Sequence, residues 1–251
     1  MSFASMDNLI ILSWNVRGLN DRALRDNVHT LVDDVRASVV CLQETKLDDV
    51  PTTLMLSMLG VWFANFTYIP ASNTRGGVLV AARHPDIALS KVHLGCFSLT
   101  VMVSTQPATP AATTASAMPS TAAQASPSVP PITMAPEGSF WLTSVYGPQS
   151  DAEKDLFLEE LAAIRAAYGG PWLIIGDFNL ILSEEDKNNS RINRRNLRNF
   201  RRFVASCELQ DLHLHGRSYT WSNELDNPTL VKLDRALVSL NWEEAHPHCL
   251  L

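Results

Sequence analysis

A carboxylate and a carboxamide stand two residues apart behind an apolar run in "WLIIGDFNLIL", Trp172 to Leu182. Asp177 and Asn179 flank Phe178, just after Gly176 interrupts the run. Asn15 closes "LIILSWN", Glu44 closes "VVCLQE" and Tyr146 closes "FWLTSVY", so three more oxygen-bearing side chains end apolar stretches. Asp234 lies inside the apolar "LVKLDRALV", where a buried carboxylate needs a partner or a cation. Thr220 adds a hydroxyl. Hard oxygen donors of this kind suit magnesium, which keeps several waters and binds through one or two carboxylates plus a phosphate. Such an ion beside a carboxylate that orients water is the equipment for splitting a phosphodiester. One side chain of the Asp177–Asn179 pair would then handle the water and the other the phosphate. Read singly, Asp177-Phe178-Asn179 is equally a turn, Glu44 a solvated strand end and Asn15 a loop residue.

These residues need elements that carry them to one place. "LIILSWN" predicts a buried strand from Leu9, and Asn20-Asp21 a cap for a helix with Leu24, Val28, Leu31, Val32 and Val35 on one face. "VVCLQE" is the next strand, so this strand–helix–strand unit predicts a parallel pair with Asn15 and Glu44 at the same end. The pattern recurs. "FWLTSVYGP" predicts a strand, Ser150 and Glu153 a capping box, and Leu156, Leu161 and Ile164 the inward face of the helix that follows. Gly169-Gly170-Pro171 stops that helix before the Asp177 strand. "YTWSN" and "LVKLDRALV" predict two further strands separated by the turn "DNPT".

From Ser104 to Pro136, 27 of 33 residues are Ala, Pro, Ser or Thr, and none is charged. Such a stretch cannot bury enough apolar area to offset ordering and predicts a disordered insertion, at about residues 104–138, within a hairpin of one domain spanning 7–251. Four scattered cysteines share no ligand spacing and predict free thiols rather than a zinc or disulfide framework. No apolar run is long enough to span a bilayer, and the N-terminus lacks a signal-type pattern, so the expected location is intracellular and not at a membrane. The net charge is −6, yet "SRINRRNLRNFRRF" carries six arginines and no acid. Ile192, Leu197, Phe200, Phe203 and Val204 roughly form its inward face. The outward arginines, Arg194, Arg195, Arg198 and Arg201 among them, are either a solvated face or a sequence-tolerant contact with phosphates.

"LSWNVRGLN", "CLQETK", "RGGVLVA", "SVYGP", "IIGDFN", "GRSYTWSN" and "KLDRALVS" occur in the order seen in the endonuclease/exonuclease/phosphatase superfamily. The sequence resembles most the apurinic-endonuclease-like domain of plant LINE-type (non-LTR) retrotransposons, from about Leu9 onward. That resemblance implies a four-layer α/β sandwich, two packed β-sheets flanked by helices, with the site at one end of the sheets. It implies magnesium-dependent nicking of DNA, with manganese as the alternative ion, and a nuclear place of action that follows from that substrate alone. Glu44 would be the main metal ligand, helped by Asn15. Tyr146 would hydrogen-bond the scissile phosphate, Asp177 would orient or deprotonate water, and Asn179 would hold a phosphate oxygen. Thr220 and Asn223 would support phosphate or DNA contact, and Asp234 would orient a histidine.

The family pattern closes on a Ser-Asp-His strand, which does not occur among the 17 residues after Asp234. His246 and His248 lack the preceding Asp and read as surface residues of a connecting segment. The sequence therefore predicts a C-terminally cut domain with a central strand left exposed, no reverse transcriptase in the chain, and weak or absent nicking. Two readings compete: a non-catalytic DNA-binding remnant, and a phosphatase or phosphodiesterase acting on inositol phosphates or lipids.

Overall fold

The computed structural model describes residues 9–72, 76–105 and 132–251, together with the backbone of residues 2–6. Strands β1 (Ser2–Met6), β2 (Leu9–Asn15), β3 (Val39–Gln43), β4 (Asn65–Ile69) and β5 (Val78–Ala82) form one sheet in the order β1-β2-β3-β5-β4. Along the rest of the chain run β6 (Ala88–Leu94), β7 (Ser98–Ser104), β8 (Thr133–Met134), β9 (Ser139–Tyr146), β10 (Tyr168–Gly169), β11 (Trp172–Asp177), β12 (Leu209–Asp211), β13 (Trp221–Ser222), β14 (Leu230–Val231) and β15 (Asp234–Ser239). Six of these make the second sheet, in the order β12-β15-β11-β9-β7-β6. The helices are α1 (Arg22–Asp34), α2 (Thr52–Leu59), α3 (Lys154–Ala167), α4 (Arg194–Ser206) and α5 (Leu240–Ala245).

Strand alternation sorts the core into three layers. Val39 and Cys41 of β3 face Leu99, Leu142, Leu173 and Ala236 of the other sheet, filling the space between the two. Val40 and Leu42 point the other way, onto Val28 and Val32 of α1 and Met55 and Met58 of α2. On the far side, Trp141, Trp172 and Ile174 pack against Phe157 and Leu161 of α3 and Phe200 of α4. Sheets buried on both faces need near-continuous apolar strands, which is why β3, β5 and β11 have no simple alternation of polar and apolar residues. The expected four-layer α/β sandwich is the observed one. Among the described residues no helix is long and apolar enough to cross a membrane.

β2 and β3 pair in parallel, as do β9 and β11, so Asn15, Glu44, Tyr146 and Asp177 all emerge at one end of the sandwich. At the opposite end α5 inserts Trp242, fully buried, against Phe140. Asp21 caps α1 by accepting from the Ala23 amide at 2.8 Å.

Several expectations need correction. No capping box forms at Ser150 and Glu153: α3 begins only at Lys154, after a turn. Its inward face is Phe157, Leu158, Leu161 and Ile164, while Leu156 is 57% exposed. "LVKLDRALV" is two strands, β14 and β15, separated by Lys232 and Leu233. Among the described residues no central strand is left with an open edge: β2 lies between β1 and β3, and β15 between β11 and β12. On either side of the low-complexity stretch, β7 and β9 pair antiparallel from Ser104↔Ser139 to Ser98↔Val145. Its flanks are structured, with Thr133–Met134 pairing in parallel with Tyr168–Gly169. Residues 106–131 lie outside the described residues.

Candidate active site

The Asp177-Phe178-Asn179 turn is held from both sides. Phe178 is fully buried, its ring 5.4 Å from that of Phe200 and 6.1 Å from that of Phe157, which leaves its two polar neighbours directed elsewhere. Asn179 takes a left-handed φ of 49°, which asparagine tolerates well, and its amide donates to Asp177 Oδ1 at 2.9 Å. The turn reading and the site reading thus describe the same stretch of backbone. Asn179 Nδ2 donates to the Gly147 carbonyl at 2.8 Å, and the Gly147 amide to the Asp177 carbonyl at 2.7 Å. A side chain at Gly147 would place its Cβ 2.2 Å from the Phe178 carbonyl oxygen, so only glycine lets these two strand ends lie so close.

Across the rim, Asn15 Nδ2 donates to Asp177 Oδ2 at 2.9 Å, while Asn15 Oδ1 accepts from the Arg17 amide at 3.1 Å. Glu44 adopts φ 55° and pairs with Lys46 Nζ at 3.1 Å. The amides of Thr45 and Lys46 donate to the carbonyls of Gly77 and Gly76, which fixes Glu44 beside these two glycines. Gly76 leaves the space that Glu44 and Tyr146 share: a Cβ there would lie 2.8 Å from Glu44 Cγ and 2.9 Å from Tyr146 Cε1. Asp234 is the register partner of Asp177 on the neighbouring antiparallel strand, and Tyr146 is its partner on the other side.

This crowding of acids shifts the titration of Asp177 and Tyr146. Burial and the adjoining Asp234 charge push the Asp177 carboxyl up to about 6, against the donated hydrogen bonds of Asn15 and Asn179. Burial, then the charges of Glu44 and Asp177, raise the Tyr146 phenol well above its ordinary value. A cation placed among these oxygens would relieve both effects, and the donor set is purely hard oxygen. Among the described residues no group of three or more acids, histidines or cysteines converges tightly enough to hold an ion unaided.

Thr220 supports the site from below, its Oγ1 accepting from the Leu233 and Asp234 amides at 2.9 and 3.0 Å. Asn223 closes the β13–β14 hairpin, its Oδ1 accepting from the Thr229 amide at 2.9 Å. The arginines divide. Arg194 pairs with Glu184 at 3.3 Å, Arg195 with Asp155 at 2.5 Å, and Arg201 Nε donates to the Leu182 carbonyl at 2.7 Å. Arg198 and Arg202 are exposed and have no such partner among the described residues. His246 is not a surface residue of a connecting segment. Half-buried, it closes α5 with its ring 4.6 Å from that of Trp242, at the end of β15 opposite Asp234. His248 is exposed and follows it.

Two supporting residues escaped the sequence reading. Gln43 is fully buried and joins the sheets beneath the site, its Nε2 donating to Ser13 Oγ at 3.1 Å and to Ser144 Oγ at 3.0 Å. Arg235, also fully buried, donates to Asp211 Oδ2 at 2.5 Å and to Asp186 Oδ2, tying the segment after Asn179 to β15. A lone glutamine in "VVCLQE" and an arginine in "LDRALV" were the available signals.

Two cavities flank the reacting groups. The larger, about 860 Å³, is lined by Glu44, Lys46, Tyr146 and Asp48 among others. The smaller, about 370 Å³, is lined by Asn179, Trp221, Lys154, Lys187 and Arg191 among others.

Residues 12–250 match the model of the Endonuclease/Exonuclease/phosphatase family. The chain belongs to this family. Solved structures with the family's fold include the catalytic domain of APE2 from Xenopus laevis, at TM-score 0.60 and 16% identity over 93% of this chain and 83% of that one. The AP endonuclease LMAP from Leishmania major gives TM-score 0.58 and 15% identity over 92% and 79%. The endonuclease domain of TRAS1, a telomere-specific non-LTR retrotransposon, gives 0.57 and 10% over 92% and 85%. At such identities these likenesses bear on the fold. A comparison with curated proteins finds no match.

Proposed function

We propose that this family member is a magnesium-dependent, endonuclease-type phosphodiesterase that nicks DNA, derived from a plant LINE-type retrotransposon, with manganese as the alternative ion. The observation that carries this reading is the convergence of Asn15, Tyr146, Asp177 and Asn179 on one rim, with Asp177 held by Asn15 from the opposite sheet. Glu44, with Asn15, would hold the ion, which would supply charge neutralisation at the phosphate oxygens. Asp177, whose affinity for a proton is raised by burial and Asp234, takes the proton of the attacking water. Asn179 and Tyr146 hold the non-bridging oxygens of the scissile phosphate. Asp234 acts here by tuning Asp177.

On this reading nicking is weak, a single acid–base group typically contributing ~10²–10⁴-fold in rate. The domain would span residues 7–251, with a tolerated insertion at about residues 104–138. The retrotransposon origin rests on the ordered motifs from "LSWNVRGLN" to "KLDRALVS". A reverse transcriptase is the partner expected from such an element, and DNA in the nucleus is the substrate.

A substrate panel tests the proposal: supercoiled plasmid, a duplex with an abasic site, a 3′-phosphorylated oligonucleotide, inositol phosphates and a phosphoinositide. Magnesium-dependent cutting of either DNA duplex ahead of the small phosphates is expected. Preferred turnover of an inositol phosphate or lipid would replace the proposal with the phosphatase reading. Salt-sensitive binding of DNA without turnover would leave a non-catalytic remnant.

A further inference from the structure

The smaller cavity contains a cation that the chemistry above does not use. Lys154 opens α3, yet it is only 9% exposed and lines the cavity wall together with Asn179. Its ammonium lies 3.1 Å from Asp151 Oδ1, and Asp151 is its one hydrogen-bond acceptor among the described residues. That carboxylate is shared: it also accepts from Asn196 Nδ2 at 2.6 Å and from Asn193 Nδ2 at 2.9 Å. An ammonium has three donors, so two remain open toward the cavity. One shared, exposed carboxylate offsets little of the cost of burying a charge. The site calls for a second anionic oxygen.

The surroundings say which kind. Lys187 and Arg191 line the same cavity, and Asp151 is the sole acid among its lining residues. The larger cavity has the opposite balance, with Glu44, Asp48 and Glu153 against Lys46. Trp221, 36% exposed, and Leu180 add apolar surface to the smaller cavity. Cations and carboxamides beside an aromatic face suit a nucleic-acid strand, phosphate on one wall and sugar or base on the other.

We propose that Lys154 is a phosphate-binding residue, donating to a phosphodiester oxygen of the strand being cut, at the phosphate next to the one held by Asn179. This rests on the nuclease reading.

The test is binding of a fluorescently labelled DNA duplex, followed by anisotropy in EDTA across a salt series, beside plasmid nicking in magnesium. Lys154→Gln should bind about tenfold more weakly, with a salt slope smaller by about one, and Lys154→Arg should keep most of the affinity. Asp151→Asn loosens the same link between α3 and α4 but spares the cation, so it should bind DNA as tightly as the unaltered chain or more tightly. Equal losses in Lys154→Gln and Asp151→Asn would show a structural role and overturn the proposal. Titration with inorganic phosphate alone covers the other source of this chemistry: tight binding lost in Lys154→Gln, with DNA affinity unchanged, would overturn the DNA assignment. If the unaltered chain binds and nicks DNA and Lys154→Gln matches it, only this inference falls. If the unaltered chain binds no DNA, the nuclease reading falls and takes this inference with it.

Discussion

Asn15 and Asp177 are 162 residues apart in the chain and meet through a 2.9 Å hydrogen bond across the rim of the two sheets. That bond stabilises the charged form of Asp177, while burial and Asp234 oppose it more strongly. In the folded chain the carboxyl titrates at about 6, against 3.8 as the ordinary value. The folded state therefore binds the extra proton between these pH values. The stability this contributes is complete below about 3.8 and lost as pH rises through about 6. In urea melts with EDTA from pH 4 to 8, the unaltered chain should lose stability relative to Asp177→Asn over that window. The loss should reach about 3 kcal/mol at most. Parallel curves would contradict the assignment.

Gly76 leaves room for two side chains at once. Gly76→Ala would press a methyl against Glu44 Cγ and Tyr146 Cε1, at 2.8 and 2.9 Å before relaxation. Displacing catalytic groups by about an ångström costs roughly 10²-fold in rate. Nicking should fall by that order, and manganese binding followed by electron paramagnetic resonance should weaken alongside it. Unaltered metal affinity would show that Glu44 is not the ligand.

Much of this site could be read in the sequence because its signals are local. Asp21 precedes an apolar helical stripe, "LIILSWN" and "VVCLQE" flank that helix, and parallel pairing then puts Asn15 and Glu44 at one end whatever the rest of the chain does. Leu156 shows the limit of the same reasoning. Each residue turns a helix by about 100°, so a start misplaced by a few positions rotates the inward face from Phe157 to its neighbour. Partners far apart in sequence leave no periodic trace. Gln43 meets Ser144 across 101 residues, and Arg235 meets Asp186 across 49. The pairing of Arg195 with Asp155 was hidden for the same reason, and it takes that arginine out of the free cationic face.

Gln43 joins the sheets directly under Glu44, so its loss should be felt as stability. Gln43→Leu leaves the buried Ser13 and Ser144 hydroxyls without their shared partner, which typically costs about 1–3 kcal/mol. Chemical denaturation measures this; a neutral result would mean that water or a local shift replaces the amide.

The exposed arginines of α4 separate into held and free. Reversing the free pair, Arg198→Glu with Arg202→Glu, should weaken duplex binding and flatten its salt dependence. Arg195→Glu should instead lower stability, because it sets a negative charge against Asp155. If duplex affinity and salt slope are unchanged in the Arg198/Arg202 variant, this helix face is solvated surface only.

The convergence of Glu44 and Asp177 on one metal-assisted reaction is tested most directly by single-hit nicking of supercoiled plasmid over hours, comparing the unaltered chain with Glu44→Gln and Asp177→Asn. Slow conversion to open circles that requires magnesium, stops with chelator and is lost in both variants is the predicted result. Conversion that continues at the same rate in Glu44→Gln, or in the presence of chelator, would contradict it.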